Sequence, residues 1–423
     1  MNKIREGYKV TELGEIPNEW SIMKLSEIAE INPRREVLED KDTVSFIAME
    51  DITNNGRVIN KTDKLYEEVK KGYTPFKDND VLLAKITPCF ENGKRALVGK
   101  LSNGIGFGST EFHVLRANKE SISKFLYYVI SSHRFMSKAE NNMTGSAGQK
   151  RVPTEFIKDY VLAVPTIKEQ EKIASILSTI DEQIDNVDAL IEKNKELKKG
   201  LMQTLFTKGI GHTKFKNTEI GEIPEEWDVK KIGDICEVKG GKRLPKGYQL
   251  EDKDNAFPYI RVADMYMGGI RQDDIKYVPK DIVDKIKNYK ISKDDLFISV
   301  AGTLGIVGQV PYELDGANLT ENADKLCNIQ INKLYLMKVL QSNIVQSIIE
   351  AEQTKSAQPK LALTRIKEFL IPVPSDIEQV KIASILMEVD EKIGQYKNKK
   401  QKLEELKKGL MQQLLTGMIR VTV

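Results

Sequence analysis

The chain is written twice. Thr11-Glu-Leu-Gly-Glu-Ile-Pro-Asn-Glu-Trp20 returns 207 positions later as Thr218-Glu-Ile-Gly-Glu-Ile-Pro-Glu-Glu-Trp227, with eight of ten residues identical. Glu169-Gln-Glu-Lys-Ile-Ala-Ser-Ile-Leu177 returns as Glu378-Gln-Val-Lys-Ile-Ala-Ser-Ile-Leu386, and Leu197-Lys-Lys-Gly-Leu-Met-Gln203 returns unchanged as Leu406 to Gln412. Self-similarity at a fixed period limits the fold before any local pattern does: both copies must adopt one architecture. The anchors repeat closely, while residues 21–163 and 228–372 align only through short apolar stretches such as Asp80-Val-Leu-Leu-Ala84 and Asp295-Leu-Phe-Ile-Ser299.

These stretches read as strands bounded by Gly, Asp and Asn, as do Val44 to Ala48, Phe112 to Leu115, Tyr259 to Val262 and Ile306 to Val310. One apolar-periodic helix is expected in each half, over Ile122 to Ile130 and over Leu334 to Ile349. The expected fold class is α+β. Repeat segments at 1–20 and 209–227 introduce mixed α/β domains at 21–165 and 228–373, long helices follow at 166–208 and 374–416, and 417–423 is a tail.

The long helices open on capping boxes, with Thr166 three residues before Glu169 and Ser375 three before Glu378. Ile173, Leu177, Ile180, Ile184, Val187 and Ile191 alternate by three and four, as do Ile382, Leu386, Val389, Ile393 and, further on, Leu403. That rhythm is a coiled-coil seam, on rods of roughly 60 Å at 1.5 Å per residue. Each helix is acidic early (Asp181, Asp185, Asp188; Glu388, Asp390, Glu391) and basic late (Lys193, Lys198, Lys199; Lys397, Lys400, Lys402). Antiparallel pairing sets acid against base and gives the repeat a pseudo-two-fold axis; two amphipathic helices packed on separate domains are the alternative. The first long helix runs on into Thr218 to Trp227, whereas the second has no such segment after it. The copy at Thr11 to Trp20 fills that place only if the chain ends meet, and we expect that they do.

Composition narrows the function. With 65 Lys and Arg against 62 Asp and Glu, the field is nearly neutral, so any polyanion site is a local patch. Three cysteines and three histidines provide neither a disulfide framework nor a four-ligand zinc site. The N-terminus lacks a signal peptide's apolar core, and no apolar run approaches the roughly 20 residues that span a bilayer. A cytoplasmic protein is expected. Gly104-Ile-Gly106-Phe-Gly108 and Gly302-Thr-Leu-Gly305 lack phosphate-loop or dinucleotide spacing. Asp234 with Glu237-Val-Lys239 resembles a nuclease set, but Lys239 corresponds to Asn32 in the other copy. The chain reads as non-catalytic, with no metal site.

Two divergent domains alternating with near-identical helical segments, opened by the Glu-Gln-x-x-Ile-Ala-Ser-Ile-Leu run and introduced by Gly-Glu-Ile-Pro-x-Glu-Trp, resemble the DNA-specificity subunits of type I restriction-modification systems. The resemblance covers essentially the whole chain. It implies two target recognition domains, each reading one half of an asymmetric bipartite site on double-stranded DNA. The paired helices would set the spacer and dock two methyltransferase subunits along the seam. Restriction/translocase subunits would complete the enzyme. S-adenosylmethionine, ATP and Mg would belong to those partners, with no cofactor in this chain and no membrane partner.

Phosphates call for cations and base edges for polar forks. The candidates are Arg34, Arg35, Lys94, Arg95, Lys150 and Arg151 in the first domain. In the second they are Lys242, Arg243, Lys246, Arg261, Lys355 and Lys360. Lys150 follows Gly145-Ser-Ala-Gly-Gln149 and Lys360 follows Ser356-Ala-Gln-Pro359, so two polar loops occupy comparable places. A coiled-coil scaffold that binds proteins, or a stand-alone DNA-binding regulator, is the alternative.

Overall fold

The computed structural model describes residues 4–353 and 360–422. It divides into two compact units, one running to Asp188 and resuming at Asn398, the other spanning Ala189–Lys397. The division falls inside both long helices, Ile167–Thr207 and Asp376–Leu414. Each unit therefore holds one domain and a stretch of each long helix.

The two domains share one topology although few of their side chains match. In the first, an antiparallel sheet runs Ala29–Ile31, Phe112–Ala117, Val81–Ala84, Arg95–Leu97; in the second, Glu237–Gly240, Ala323–Cys327, Leu296–Ser299, Val307–Gln309. A second four-stranded sheet in each contains one parallel pair, Ser45 opposite Gly106 in the first domain and Tyr259 opposite Asn318 in the second. Val81–Ala84 and Leu296–Ser299 are buried on both faces, which is why they read as unbroken apolar runs. Each is preceded by an Asp that accepts a backbone N–H three residues back: Lys77 N to Asp80 (2.7 Å) and Ser292 N to Asp295 (2.9 Å).

One sequence expectation changes here. The helix expected over Leu334 to Ile349 is two, Lys333–Leu340 and Asn343–Gln353. Ser342 interrupts it by donating its hydroxyl to the Val339 carbonyl (2.6 Å). The first domain breaks the same way: Ser132 donates to Val129 and caps the helix His133–Asn141, after Ser123–Ser131. Apolar periodicity crosses the second-domain break because both helices face one core, so hydrophobicity alone hides it; in the first domain the expected helix stopped at Ile130, before the break, and the helix His133–Asn141 was not expected.

The repeated anchors hold each unit together. In the first unit Glu169 is buried, and its carboxylate accepts from the Trp20 indole (3.2 Å), the Arg420 guanidinium (2.8 Å) and the Thr166 hydroxyl (3.2 Å). Glu169 N also donates to Thr166 Oγ1 (3.4 Å), the expected capping box. In the second unit the box expected at Ser375 is not made. Glu378 is taken instead by the Trp227 indole (3.0 Å), His212 (3.0 Å) and the Ile210 amide (2.9 Å). The neighbouring glutamines act alike. Gln170 Oε1 accepts from Ile122 N (3.1 Å) and Gln379 Oε1 from Asn332 N (2.8 Å), pinning each long helix to its own domain.

The chain ends meet inside the first unit. Tyr8 Oη donates to the Gly417 carbonyl (2.9 Å) and Arg5 to that of Met418 (3.0 Å). The segment Thr11 to Trp20 thus follows the second long helix in space as Thr218 to Trp227 follows the first in sequence.

Within each unit the long helices run antiparallel. In the first, Lys407 pairs with Asp181 (2.6 Å) and Lys400 with Asp188 (2.7 Å), so numbering falls on one helix as it rises on the other. In the second, Lys198 pairs with Asp390 (2.6 Å). Of the expected seam, Ile173, Leu177, Ile180, Ile184, Val187, Ile191, Ile382, Leu386, Val389 and Ile393 are buried and Leu403 half-buried. Helix continues through Gly394.

Candidate nucleic-acid interface

The candidate cations sort by what already holds them. Arg151 makes a bidentate pair with Glu111 (2.8 and 3.0 Å), which keeps that carboxyl below its usual range. Arg261 is held by Asp264 (2.6 Å) and Asp274 (3.1 Å), and Arg243 by Glu321 (3.1 Å). Arg35 donates to the Lys70 carbonyl and Lys94 to that of Met49 (2.7 Å). Lys242 lies 5.6 Å from the Tyr289 ring centroid. Arg34, Lys150 and Lys246 are exposed and make no side-chain bond among the described residues; Lys360 is exposed beside Asp324. Lys355 lies outside the described residues.

The cations left available come from two loops that are topologically the same in each domain. Arg34 sits between strands Ala29–Ile31 and Thr43–Ile47; Lys242 and Lys246 sit between Glu237–Gly240 and Pro258–Ile260. Lys150 and Lys360 belong to the polar loops. Residues 356–359 lie outside the described residues, but the positions that follow the two loops are equivalent: Arg151 bridges to Ile86 and Lys360 to Ala301, each two residues past a central strand. Val152 N then donates to the Lys85 carbonyl and Leu361 N to that of Val300, both at 2.9 Å.

Beneath the meeting point of the two loops lies one buried residue of the neighbouring strand, and here the domains part. The registers Phe112 opposite Ala84 and Ala323 opposite Ser299 make His113 the counterpart of Asp324. His113 Nε2 lies 2.8 Å from the Val152 carbonyl, which can only accept, so that nitrogen carries the proton. Nδ1 then accepts from Asn32 Nδ2 (3.3 Å). Burial holds this imidazole below its usual range. Asp324 is 5% exposed, and its Oδ2 has no partner. Burial pushes its carboxyl up to about 6, against the pull of Lys360. The start of the basic loop comes very close here: a Cβ on Gly241 would collide with the carbonyls of Leu319 and Thr320.

Arg95 is not among these cations. It lies in a cavity of about 1300 Å³ within the first unit, together with Tyr127, Tyr128 and parts of both long helices. Arg57, which the sequence reading passed over, reaches from the same domain to Asp185 and Asp188. His212 and Arg420 were also missed as partners of the two anchor glutamates. Their signal was present: each lies three residues past a glycine that ends a long helix, Gly209 (φ 62°) and Gly417 (φ 71°).

The duplicated Leu-Lys-Lys-Gly-Leu-Met-Gln runs keep an exposed face. Leu197 is 51% and Leu406 50% exposed, and nothing lies within 4 Å of a Cβ built on Gly200 or Gly409. A mid-helix glycine costs about 1 kcal/mol relative to alanine, and neither unit contains a contact that requires one. Glu237 pairs with Lys239 on the surface. Among the described residues no group of three His, Cys, Asp or Glu is placed to hold a metal, and no helix is long and apolar enough to cross a membrane.

A model of the type I restriction modification DNA specificity domain matches residues 17–197 and again 224–405. The EcoAI specificity subunit of Escherichia coli is 38% identical over 219 residues, covering 50% of this chain and 36% of its own length. The EcoEI subunit is likewise 38% identical, so the chain spans about a third of these two relatives (36% and 35%). A putative specificity subunit, MjaX of Methanocaldococcus jannaschii, is 28% identical over 429 residues, with 98% of this chain and 97% of that one covered. Among solved structures, the S subunit from M. genitalium superposes with a TM-score of 0.57 at 21% identity, covering 99% of each chain. A chain from a type I R-M system studied for complex assembly gives 0.59 at 16% identity, covering 96% of this chain and 99% of that one. At those identities the structural likeness speaks for the fold.

Proposed function

This chain belongs to the type I restriction-modification DNA-specificity subunits, which are non-catalytic, and on that premise we propose how it divides the work. Each domain reads one half of an asymmetric bipartite site on double-stranded DNA. The long helices set the spacer and dock two methyltransferase subunits. Restriction/translocase subunits complete the assembly, in the cytoplasm where the DNA lies. S-adenosylmethionine, ATP and Mg are brought by those partners.

The observation that carries this reading is the pairing of equivalence with difference. Two domains of one topology present cations on equivalent loops, and the loops carry different residues: Arg34 and Lys150 against Lys242, Lys246 and Lys360. Equivalent scaffolds with unlike loops suit two readers of unlike half-sites. Lysines that end in no ion pair suit phosphates, while an unpaired Arg suits a base edge. Helices of 41 and 39 residues are each about 60 Å long, enough to keep readers one to two turns of B-DNA apart at about 34 Å per turn. The two identical exposed runs, each with an open glycine, offer equivalent faces to two copies of one partner.

The test is to co-express the chain with the methyltransferase subunit encoded beside it and map N6-methyladenine across the host DNA. A single split motif, asymmetric and with a fixed spacer, is the expected result, and exchanging residues 21–163 for those of a relative should change one half only. Binding should weaken about a thousandfold or more between 50 and 200 mM salt if six or more phosphates are contacted. Arg34→Ala should cost about 1–3 kcal/mol and relax one position of the motif. A stable complex that methylates nothing would favour the scaffold, and binding to DNA alone would favour the regulator.

A further inference from the structure

The cavity of the first unit poses an electrostatic problem that the unit does not solve by itself. Arg95 Nε donates to Ser131 Oγ (2.5 Å) and Nη1 to the Gly93 carbonyl (2.8 Å). Both acceptors are neutral, Nη2 has no partner among the described residues, and no carboxylate there lies within ion-pair distance. Burial lowers the pKa of this guanidinium against the weaker pull of Tyr127 and Asp181, neither of which bonds to it. The carboxylates that line the cavity from the facing helix are committed elsewhere. Asp181 binds Tyr128 (2.8 Å) and Lys407 (2.6 Å), and Asp185 binds Arg57. The lining as a whole carries six Lys and Arg against four Asp and Glu. Such a charge is expensive to keep unless something supplies its partner.

The second domain has no such group at the equivalent position. Strand registers place Arg95 opposite Leu83 and Val307 opposite Ile298, so the counterpart of this half-buried cation is a valine, fully buried in the core. Glycine backbone also makes room here: a Cβ on Gly93 would come within 2.9 Å of Arg95 Nη1, and one on Gly56 would collide with Tyr127 Oη. The volume, about 1300 Å³, exceeds the roughly 300–1,000 Å³ usual for small ligands. Its walls are largely apolar, including Val129, Ile184 and Met411. Met411 and Lys407 belong to the repeated run whose exposed side we assign to the partner, so the cavity continues that face inward.

We propose that this cavity receives an amphipathic, acidic helical segment of a methyltransferase subunit, whose carboxylate pairs with Arg95, and that the two partner copies consequently dock unequally. This rests on the docking reading above. A largely apolar groove with a half-buried guanidinium that has no carboxylate partner is what a helix with one acidic anchor fits. The copy beside the first domain gains a desolvated charge pair that the copy beside the second, facing Val307, lacks. It binds first and leaves last.

Titrating the full-length chain with its methyltransferase subunit, read by calorimetry and native mass spectrometry, tests this. The wild-type chain should bind two copies in steps that differ at least tenfold. Arg95→Val, which installs the residue of the second copy, should weaken the tighter step tenfold or more and bring the steps together. Arg95→Lys should restore part of the difference, and melting followed by Trp20 emission verifies that each variant is folded. Two equal steps in the wild type, or a tighter step untouched in folded Arg95→Val, overturns the proposal. Absence of any binding to the wild type would instead overturn the docking reading on which it rests.

Discussion

The first and second domains solve one folding problem with different side chains. Strand order, the parallel pair, the serine-broken helix pair and the Glu-Gln lock are common to both, yet almost every residue between the anchors differs. A node on the long helices makes the contrast concrete. Asp181 takes Lys407 from the other helix and Tyr128 from the domain; Asp390 takes Lys198 from the other helix and Lys338 from the domain. The helix-to-helix partner is preserved and the domain's contribution is free to change. Likewise, Arg57 ties its hairpin to Asp185 and Asp188, whose counterparts are Gly394 and Lys397, so the second copy has no acid to receive such a strut. The difference teaches that the duplicated anchors carry the architecture, leaving the loops to vary.

Breaking the anchors should produce the largest effect and should do so unequally. Glu169→Ala leaves Arg420 with Glu19 alone and the Trp20 indole without its acceptor, whereas Glu378→Ala empties a more exposed node, where the Trp227 indole, His212 and the Ile210 amide lose theirs. Loss of about 2–3 kcal/mol is expected for the first, less than for a fully buried broken pair because Arg420 keeps Glu19 and is partly in water. A smaller loss is expected for the second. Urea unfolding checks this, since Trp20 and Trp227 report one unit each; equal losses would show that the cation at this node contributes nothing.

A change of pH should move the two domains in opposite directions. The Asp324 carboxyl is pushed up to about 6, above an unfolded value near 3.9. The folded state therefore holds the proton more tightly, and stability is lost as pH rises from about 4 through 6, by about 3 kcal/mol in all. Asp324→Asn should abolish that dependence. His113 is displaced downward by burial. Its contribution is present above the unfolded imidazole value of about 6.5 and is lost as pH falls below it. Denaturation curves at pH 4.5, 6 and 7.5, read from single-tryptophan variants, separate the two. A common direction in both units would sink the assignment of these residues.

The smallest effect sharpens what the copies share. Gly200→Ala and Gly409→Ala should each stabilise the isolated chain by about 0.5–1 kcal/mol, since nothing crowds the added methyl. Each should weaken binding of one methyltransferase copy. Stabilisation with unchanged binding would mean that the repeated glycines face solvent in the assembly as well.

Much of this molecule was legible in its residues. The duplication, the long helices, their antiparallel sense and the meeting of the chain ends all follow from repeats, capping signals and charge order, which are local or one-dimensional. The serine break at Ser342 was not legible, because apolar period continues across it. The capping box at Ser375 was expected and not made, because Glu378 serves three more distant donors. The cations were the least legible: twelve candidates looked alike in sequence. Only the fold committed Arg151, Arg243 and Arg261 to carboxylates, turned Arg95 into a cavity, and left Arg34, Lys150 and Lys246 to solvent. A repeat is information carried along the chain and can be read there. Whether a charge is paired depends on residues tens or hundreds of positions away, and tertiary packing alone decides it.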